Sequence, residues 1–309
     1  TTGYTSQIQN IGSTSNRGLE FQINATPVSK RDFTWTSNFN ISFNENKVES
    51  LGGVTELVRN SGWQGSDGVP DFLVRVGQPT GLMYGFVTDG FYQISDFNYN
   101  STTATYTIKP GIAVNSVYGT PQPGMLKWKD LNGDGVITYG GNNDDRVIMG
   151  NPFPDFVYGI TNNVAYKNWD FNFFFRGSLG HSLINSYRGF YENTESTTVQ
   201  NWNVVKTKYF DPNIKKAEYN SSHVEKADFM ILDNATLGYN FNVKQGKSVG
   251  KIRTFLSVQT PFMFTGYTGV DPSVRYQDPE NGDPLAPGIE RRATYFTTTI
   301  TTLGLNLSF

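Results

Sequence analysis

The sequence predicts an all-β fold: a segment of a transmembrane, antiparallel, up-and-down β-barrel, about eight strands in extent, with long loops at one end. The first observation behind this is the last stretch, 293–309. Leu303, Leu305, Leu307 and Phe309 fall on one side of an extended strand there, and Thr302, Gly304, Asn306 and Ser308 fall on the other. A clean period of two means two faces meeting two environments. The strand also stops on an aromatic ring, as a lipid-facing strand does at a barrel rim. Taken alone, it reads equally well as the closing strand of a soluble sandwich. The second observation is the order of the connections, which alternate strictly between short and long. The third is composition. Aromatic residues make up 15% of the 309 residues, and no apolar run approaches the roughly 18 residues of a membrane-spanning helix. If this chain crosses a bilayer, it does so with strands.

In chain order, the first strand is weak, around 2–9. The second, 18–26, sets Leu19, Phe21, Ile23 and Ala25 against Glu20, Gln22, Asn24 and Thr26. The third, 33–44, is the clearest. Phe33, Trp35, Phe39, Ile41 and Phe43 alternate with Thr34, Thr36, Asn38, Asn40, Ser42 and Asn44. Strands four and five, 155–167 and 169–177, follow, the latter with Trp169, Phe171, Phe173 and Phe175 on one face. Strands six, seven and eight are 229–243, 251–264 and the C-terminal stretch. The segments 27–32, 167–169 and 244–250 between them are short. The segments 45–154, 178–228 and 265–292 are long. In an up-and-down barrel alternate connections share one end, so every long loop lies on one rim, as extracellular loops do. A Greek-key sandwich has no reason to obey this parity.

Composition excludes several classes. The net charge of −2 carries no nucleic-acid footprint. With no cysteine there is no disulfide scaffold or thiolate metal site. The chain opens TTGYTSQIQN, without an initiator Met or a signal peptide. Since a barrel needs export, the expectation is a processed chain or the C-terminal part of a longer one.

Several segments then resemble the C-terminal portion of SusC/RagA-type TonB-dependent outer-membrane transporters. They are NIGSTSNRGLEF (10–21), VGQPTGLMYGFVTDGFYQ (76–93), PGMLKWKDLNGDGVI (123–137) and RVIMGNPFPDFVYG (146–159), which runs on through YKNWDFNFFFRGSLG. LDNATLGYN (232–240), VQTPFMFTGYTGVDP (258–272) and the terminal LGLNLSF complete the set, in order and over nearly the whole chain. The resemblance implies a 22-stranded barrel around an N-terminal plug, with residues 1–309 as roughly its last third. Plug and TonB box have no counterpart here. It further implies residence in the outer membrane, contact with its lipid, energisation by the TonB complex through the absent part, and a SusD-like surface lipoprotein as lid. The activity it implies is import of an oligosaccharide or peptide, with no enzymatic step. Two other readings stand beside it. One is a secreted, calcium-stabilised β module that binds glycans. The other is a complete eight-stranded barrel, against which the length of the loops argues.

The sharpest candidate site is Asp130, Asn132 and Asp134 with Gly135 following. Oxygen ligands at positions one, three and five and Gly at six reproduce the first half of a calcium-binding EF-hand loop, with the Val136 carbonyl as the seventh-position ligand. Position twelve is Gly141, so closure falls to Asp145, or to Asp144, after an apparent insertion. The competing reading is a metal-free turn. His181 and His223, the only histidines, read as solvated loop side chains with no nucleophile beside them. Glu20 and Asp233 could suggest a carboxylate pair, but polar side chains facing a barrel lumen are routine. On the long loops, Trp63, Tyr84, Phe91, Trp128 and Trp202, with Phe86 and Tyr92, are candidates for stacking on substrate, for lid contact, or for packing the loops themselves.

Overall fold

The computed structural model describes residues 12–62, 68–115, 117–192, 206, 210, 218–245, 248–274, 283–290 and 294–308. Seven long strands form one sheet: β1 (Gly12–Lys30), β2 (Phe33–Leu51), β3 (Phe156–Tyr166), β4 (Trp169–Leu179), β5 (Phe229–Gln245), β6 (Ser248–Thr265) and β7 (Ile300–Ser308). Each pairs antiparallel with the next in sequence, in the order β1 to β7 without a crossover. The weak first strand expected at 2–9 lies outside the described residues.

Two-residue connections join β1 to β2, β3 to β4 and β5 to β6, all at one end. The first two are Arg31-Asp32 and Lys167-Asn168, where Lys167 takes a positive φ of 54°. The three long connections leave from the other end. This is the alternation that the sequence predicts. Strand bounds run past expectation in several places: β1 begins at Gly12 rather than 18, and β2 continues to Leu51 rather than ending at 44. The sequence predicts a turn beginning at Pro27, yet β1 runs on through it to Lys30. Proline cannot donate to a ladder, and the pairing shifts register there, between Ala25 and Val28.

The apolar residues of neighbouring strands face one another. Leu19 lies opposite Phe43 and Phe21 opposite Ile41. Ile41 faces Tyr158, and Phe39 faces Ile160. Phe171 pairs with Leu237, Leu237 with Leu256, and Leu256 with Leu303. Among the described residues, no layer of protein covers this face: Leu19 is 64% exposed, Phe21 54% and Leu303 82%. At the short-turn end it finishes in rings. Phe33 sits 6.4 Å from Tyr166, and Trp169 4.7 Å from Tyr239. An apolar band edged by aromatics is the outer surface of a membrane barrel. Polar side chains interrupt it at Ser37, Asn162 and Thr254. Asn162 is buried in the band, and its Oδ1 accepts a 2.9 Å hydrogen bond from the Trp35 indole. Among the described residues, no helix is long and apolar enough to cross a membrane.

The band and the opposite face should respond oppositely to charge in the intact parent protein. Ile41→Arg is expected to cost roughly 2–4 kcal/mol of folded stability, as a mid-bilayer Arg on a lipid face does, while Asn40→Arg one position away is tolerated. Folding yield and unfolding in lipid vesicles measure this. Equal losses from both variants would show the faces to be misassigned.

Candidate functional site

With its apolar side chains turned outward, the sheet leaves the protein's own core to the long connections. Phe72 and Met83 from the first, Ile184, Phe190 and Tyr219 from the second, and Ala286 and Ile289 from the third pack in one buried cluster. Short sheets tie the loops together. Glu56–Arg59, Phe72–Arg75, Leu82–Gly85 and Val147–Gly150 form one of four strands. Ser182–Asn185 pairs with Val224–Lys226 and, across loops, in parallel with Ile289–Glu290. Glu225 accepts the Thr268 N–H at 3.0 Å and faces Arg188 at 3.2 Å, a further tie between the second and third loops.

The aromatic candidates divide. Trp63 and Trp202 lie outside the described residues. Tyr84 is buried under the Arg146 guanidinium, 4.6 Å from its ring centroid. Trp128 is 1% exposed, held edge-on by Phe86 and stacked on Tyr118. These two pack the loop interior, as do Phe86 and Tyr92. Phe91, opposite Leu126 in a short pairing, is half-buried.

Asp130, Asn132 and Asp134 come together on one tight turn, with Gly133 and Gly135 at φ of 76° and 84°. Asp130 accepts the Gly133 and Gly135 N–H groups at 2.6 and 2.8 Å, and Asp134 accepts that of Val136 at 2.9 Å. The turn lines a cleft of about 790 Å³ shared with Lys127 and Lys129. Asp145 is fully buried, and its two oxygens accept the Leu131 and Thr138 N–H groups at 3.0 and 2.9 Å. Asp144 is paired with Arg146 at 2.6 Å. Burial works against its charged form, but the Arg146 hydrogen bonds outweigh that and hold its carboxyl below the ordinary range. Among the described residues, no three acidic, His or Cys side chains gather closely enough to hold a metal ion. Asn132 Oδ1 accepts the Asp134 N–H at 2.8 Å and Asp134 Oδ2 the Asn143 amide at 3.0 Å, so the turn is held by its own hydrogen bonds, without a preformed cage.

The histidines differ from expectation. Both are buried rather than solvated, because each lies where distant segments meet. His181 Nε2 sits 3.0 Å from the Pro272 carbonyl of the third loop. His223 Nδ1 accepts the Asn220 N–H at 3.3 Å. Burial, with the positive charge of Arg188 behind it, lowers its pKa to about 4. Sequence reasoning missed Glu290 altogether. It is fully buried and accepts the Tyr267 hydroxyl at 2.7 Å and the Val270 and Asp271 N–H groups at 2.9 and 2.7 Å. A Cβ at Gly269 would come within 2.0 Å of its Oε2, so only glycine fits beside it. That glycine, within TGVDP, was the one visible hint.

The polar face of the sheet is a lattice of amides and hydroxyls. Asn38 donates to Asn24, Asn46 to Asn16 at 2.9 Å, and Asn172 to Asn163 at 2.5 Å. Thr236 and Ser257 share a hydrogen bond of 2.7 Å. Glu20 and Asp233 lie far apart on it rather than as a catalytic pair: Glu20 faces Ser42 at 3.4 Å, and Asp233 pairs with Arg176 at 2.7 Å. Arg253 reaches across β5 to Asp170 at 2.5 Å, and Asn240 joins at 2.9 Å. The crossing needs Gly238, where a Cβ would lie 2.6 Å from the guanidinium.

No family model matches the chain. It is 31% identical over 317 residues to TonB-dependent receptor P3 of Formosa agariphila, covering 99% of this chain and 30% of that protein. To the TonB-dependent receptor SusC of Bacteroides thetaiotaomicron it is 31% identical over 296 residues, covering 90% of this chain and 26% of SusC. The chain thus spans less than a third of the length of these relatives. Among solved structures, the RagAB peptide importer in its closed-closed state superposes with a TM-score of 0.67 at 18% identity, over 100% of this chain and 31% of that one. The RagAB peptide transporter gives 0.66 at the same identity. These structures share the fold.

The His223 environment makes the loop mass acid-sensitive. A folded pKa of about 4 against the usual 6.5 means that the unfolded chain binds more protons between those values. The stability is therefore present above pH 6.5 and lost as pH falls toward 4, by up to roughly 3 kcal/mol. Melting of the intact protein across that range should show the loss. His223→Gln should flatten the slope, and an unchanged slope would count against this burial.

Proposed function

The chain belongs to the SusC/RagA-type TonB-dependent receptors, as part of their barrel, and from that premise we propose that it is part of an importer of oligosaccharides or peptides across the outer membrane. The observation that carries this reading is the uncovered apolar band shared by consecutive strands whose long connections all leave from one end. In this reading the band meets lipid, the polar face lines the lumen and the loop mass faces the cell exterior. A surface lipoprotein of the SusD type covers the loops, and TonB acts through other parts of the parent protein. The chain's role is wall and entrance, with no bond made or broken.

The parent protein is expected in the outer-membrane fraction, released by detergent but not by carbonate or high salt. Its deletion should abolish uptake of the solute it carries. Release without detergent would favour a secreted glycan-binding module instead.

We also propose that the Asp130–Val136 turn takes calcium, through Asp130, Asn132, Asp134 and the Val136 carbonyl. What supports it is the ligand spacing and the open cleft, in which water can complete the shell. Asp145, fully buried as well as bonded to two backbone N–H groups, has the part of a brace for the turn. Binding should accordingly be weak, with Kd on the order of 10⁻⁴–10⁻³ M. Calcium titration should raise the melting temperature of the intact protein, and a chelator should reverse it. Asp134→Ala should remove the response. A response that survives Asp134→Ala would place the ion elsewhere, and no response in the parent protein would leave a metal-free turn.

A further inference from the structure

Among the described side chains, the charges on the polar face of the sheet balance. Among the described side chains of the strands, those facing this side are Glu20, Asp170 and Asp233 against Arg176, Lys251 and Arg253. Four of the six are tied to one another, Asp170 to Arg253 at 2.5 Å and Asp233 to Arg176 at 2.7 Å. Glu20 lies beside the Ser42 hydroxyl, and Lys251 stands opposite Ser308 near the short-turn end. Between them lie mostly Asn, Gln, Ser and Thr, interrupted by small apolar residues such as Val157 and Ala165 and by rings such as Phe255, which fills the space left by Gly304.

Such a wall treats solutes differently. A primary amide offers two donors and two lone pairs, and the lattice bonds use only part of that capacity. The remainder suits hydroxyl groups, which also donate and accept. A sulfate or carboxylate would shed water here with little cation to compensate, because both guanidinium groups are already engaged and Lys251 stands apart near the short-turn end. A peptide brings charged termini at neutral pH and meets the same cost. Resting on the import reading above, we infer that the wall contributed by this chain selects uncharged, hydroxyl-rich solutes, namely neutral oligosaccharides. Within that selection Gly238 is a positioning residue, since it lets Asp170 neutralise Arg253 across an intervening strand.

The test uses the intact parent transporter in detergent, with a panel of neutral oligosaccharides, their sulfated counterparts and peptides, followed by calorimetry. The strongest ligands should be neutral, with affinity unchanged between ~0.05 and ~0.5 M salt. Asp170→Asn frees the Arg253 guanidinium and should raise affinity for sulfated counterparts about ten-fold at low salt, an effect that salt then erases. Arg253→Gln removes the same ion pair but frees a carboxylate, and should give no such gain, which separates charge from mere loss of structure. A wild-type preference for sulfated sugars or peptides would overturn the inference while leaving import intact. So would an Asp170→Asn variant that folds normally and gains nothing. Binding of no member of any class would overturn the import reading itself. Should Asp170→Asn fail to fold, the wild-type preference and its salt dependence still decide.

Discussion

A backbone that enters hydrocarbon must satisfy every N–H and C=O within the protein, because the surroundings offer no partner. The seven-stranded sheet meets that demand strand against strand, each bonding the next in a ladder interrupted only at local register shifts such as that beside Pro27. The same surroundings remove the usual reason for a sheet to bury its apolar face. Leu19, Phe21 and Leu303 stay largely exposed because lipid can take the place of a second protein layer. The alternation along each strand, the facing of apolar residues across each seam and the rings at the short-turn end follow from this one substitution of solvent.

The consequence is an inverted distribution of packing. The strands carry little buried apolar surface, while the three long connections are condensed around Phe72, Met83, Ile184 and Ile289. Loops in soluble proteins seldom hold a core, because their backbone polar groups need water. Here those groups are met by short sheets and by carboxylates acting as acceptors. Asp145 serves Leu131 and Thr138, and Glu290 serves Val270 and Asp271. Buried acids in this region therefore do the work of backbone caps rather than of chemistry.

The strands were legible because a period of two sustained over eight or more residues survives any local noise, and because the turn lengths alternate. The passage of β1 through Pro27 was not legible, since proline marks a turn more often than an irregular strand. The loop interior was hidden for a different reason. Its strands are two to four residues long, too short to show a period. Its buried groups owe their burial to partners far away in sequence, as His181 does to Pro272 and Arg188 to Glu225. A histidine in a Gly-rich stretch reads as solvated until the segment that covers it is known. The same holds for Tyr84 and Trp128, whose rings look like platforms in the sequence and are interior in the fold. The Asp130 turn was legible as a turn, from its Asp, Asn and Gly spacing, but its surroundings were not, because the sequence does not tell that Asp144 belongs to Arg146 and Asp145 to the backbone.

The hydrogen bond from Trp35 to Asn162 bears on how such a sheet could assemble correctly. The β1–β2 and β3–β4 hairpins close through two-residue turns and need only local contacts. The seam between β2 and β3 has no such guide, since the whole first loop separates its strands. Alternation forbids a slip by one residue there, which would exchange the faces. A slip by two residues would pass that check, keeping rings outward and amides inward. It would, however, carry the Asn162 amide away from the indole that serves it and strand a polar group in hydrocarbon, at a cost of several kcal/mol. A single directional bond set in an otherwise nonspecific apolar surface thus acts as an index mark, distinguishing the native alignment from its nearest permissible neighbours.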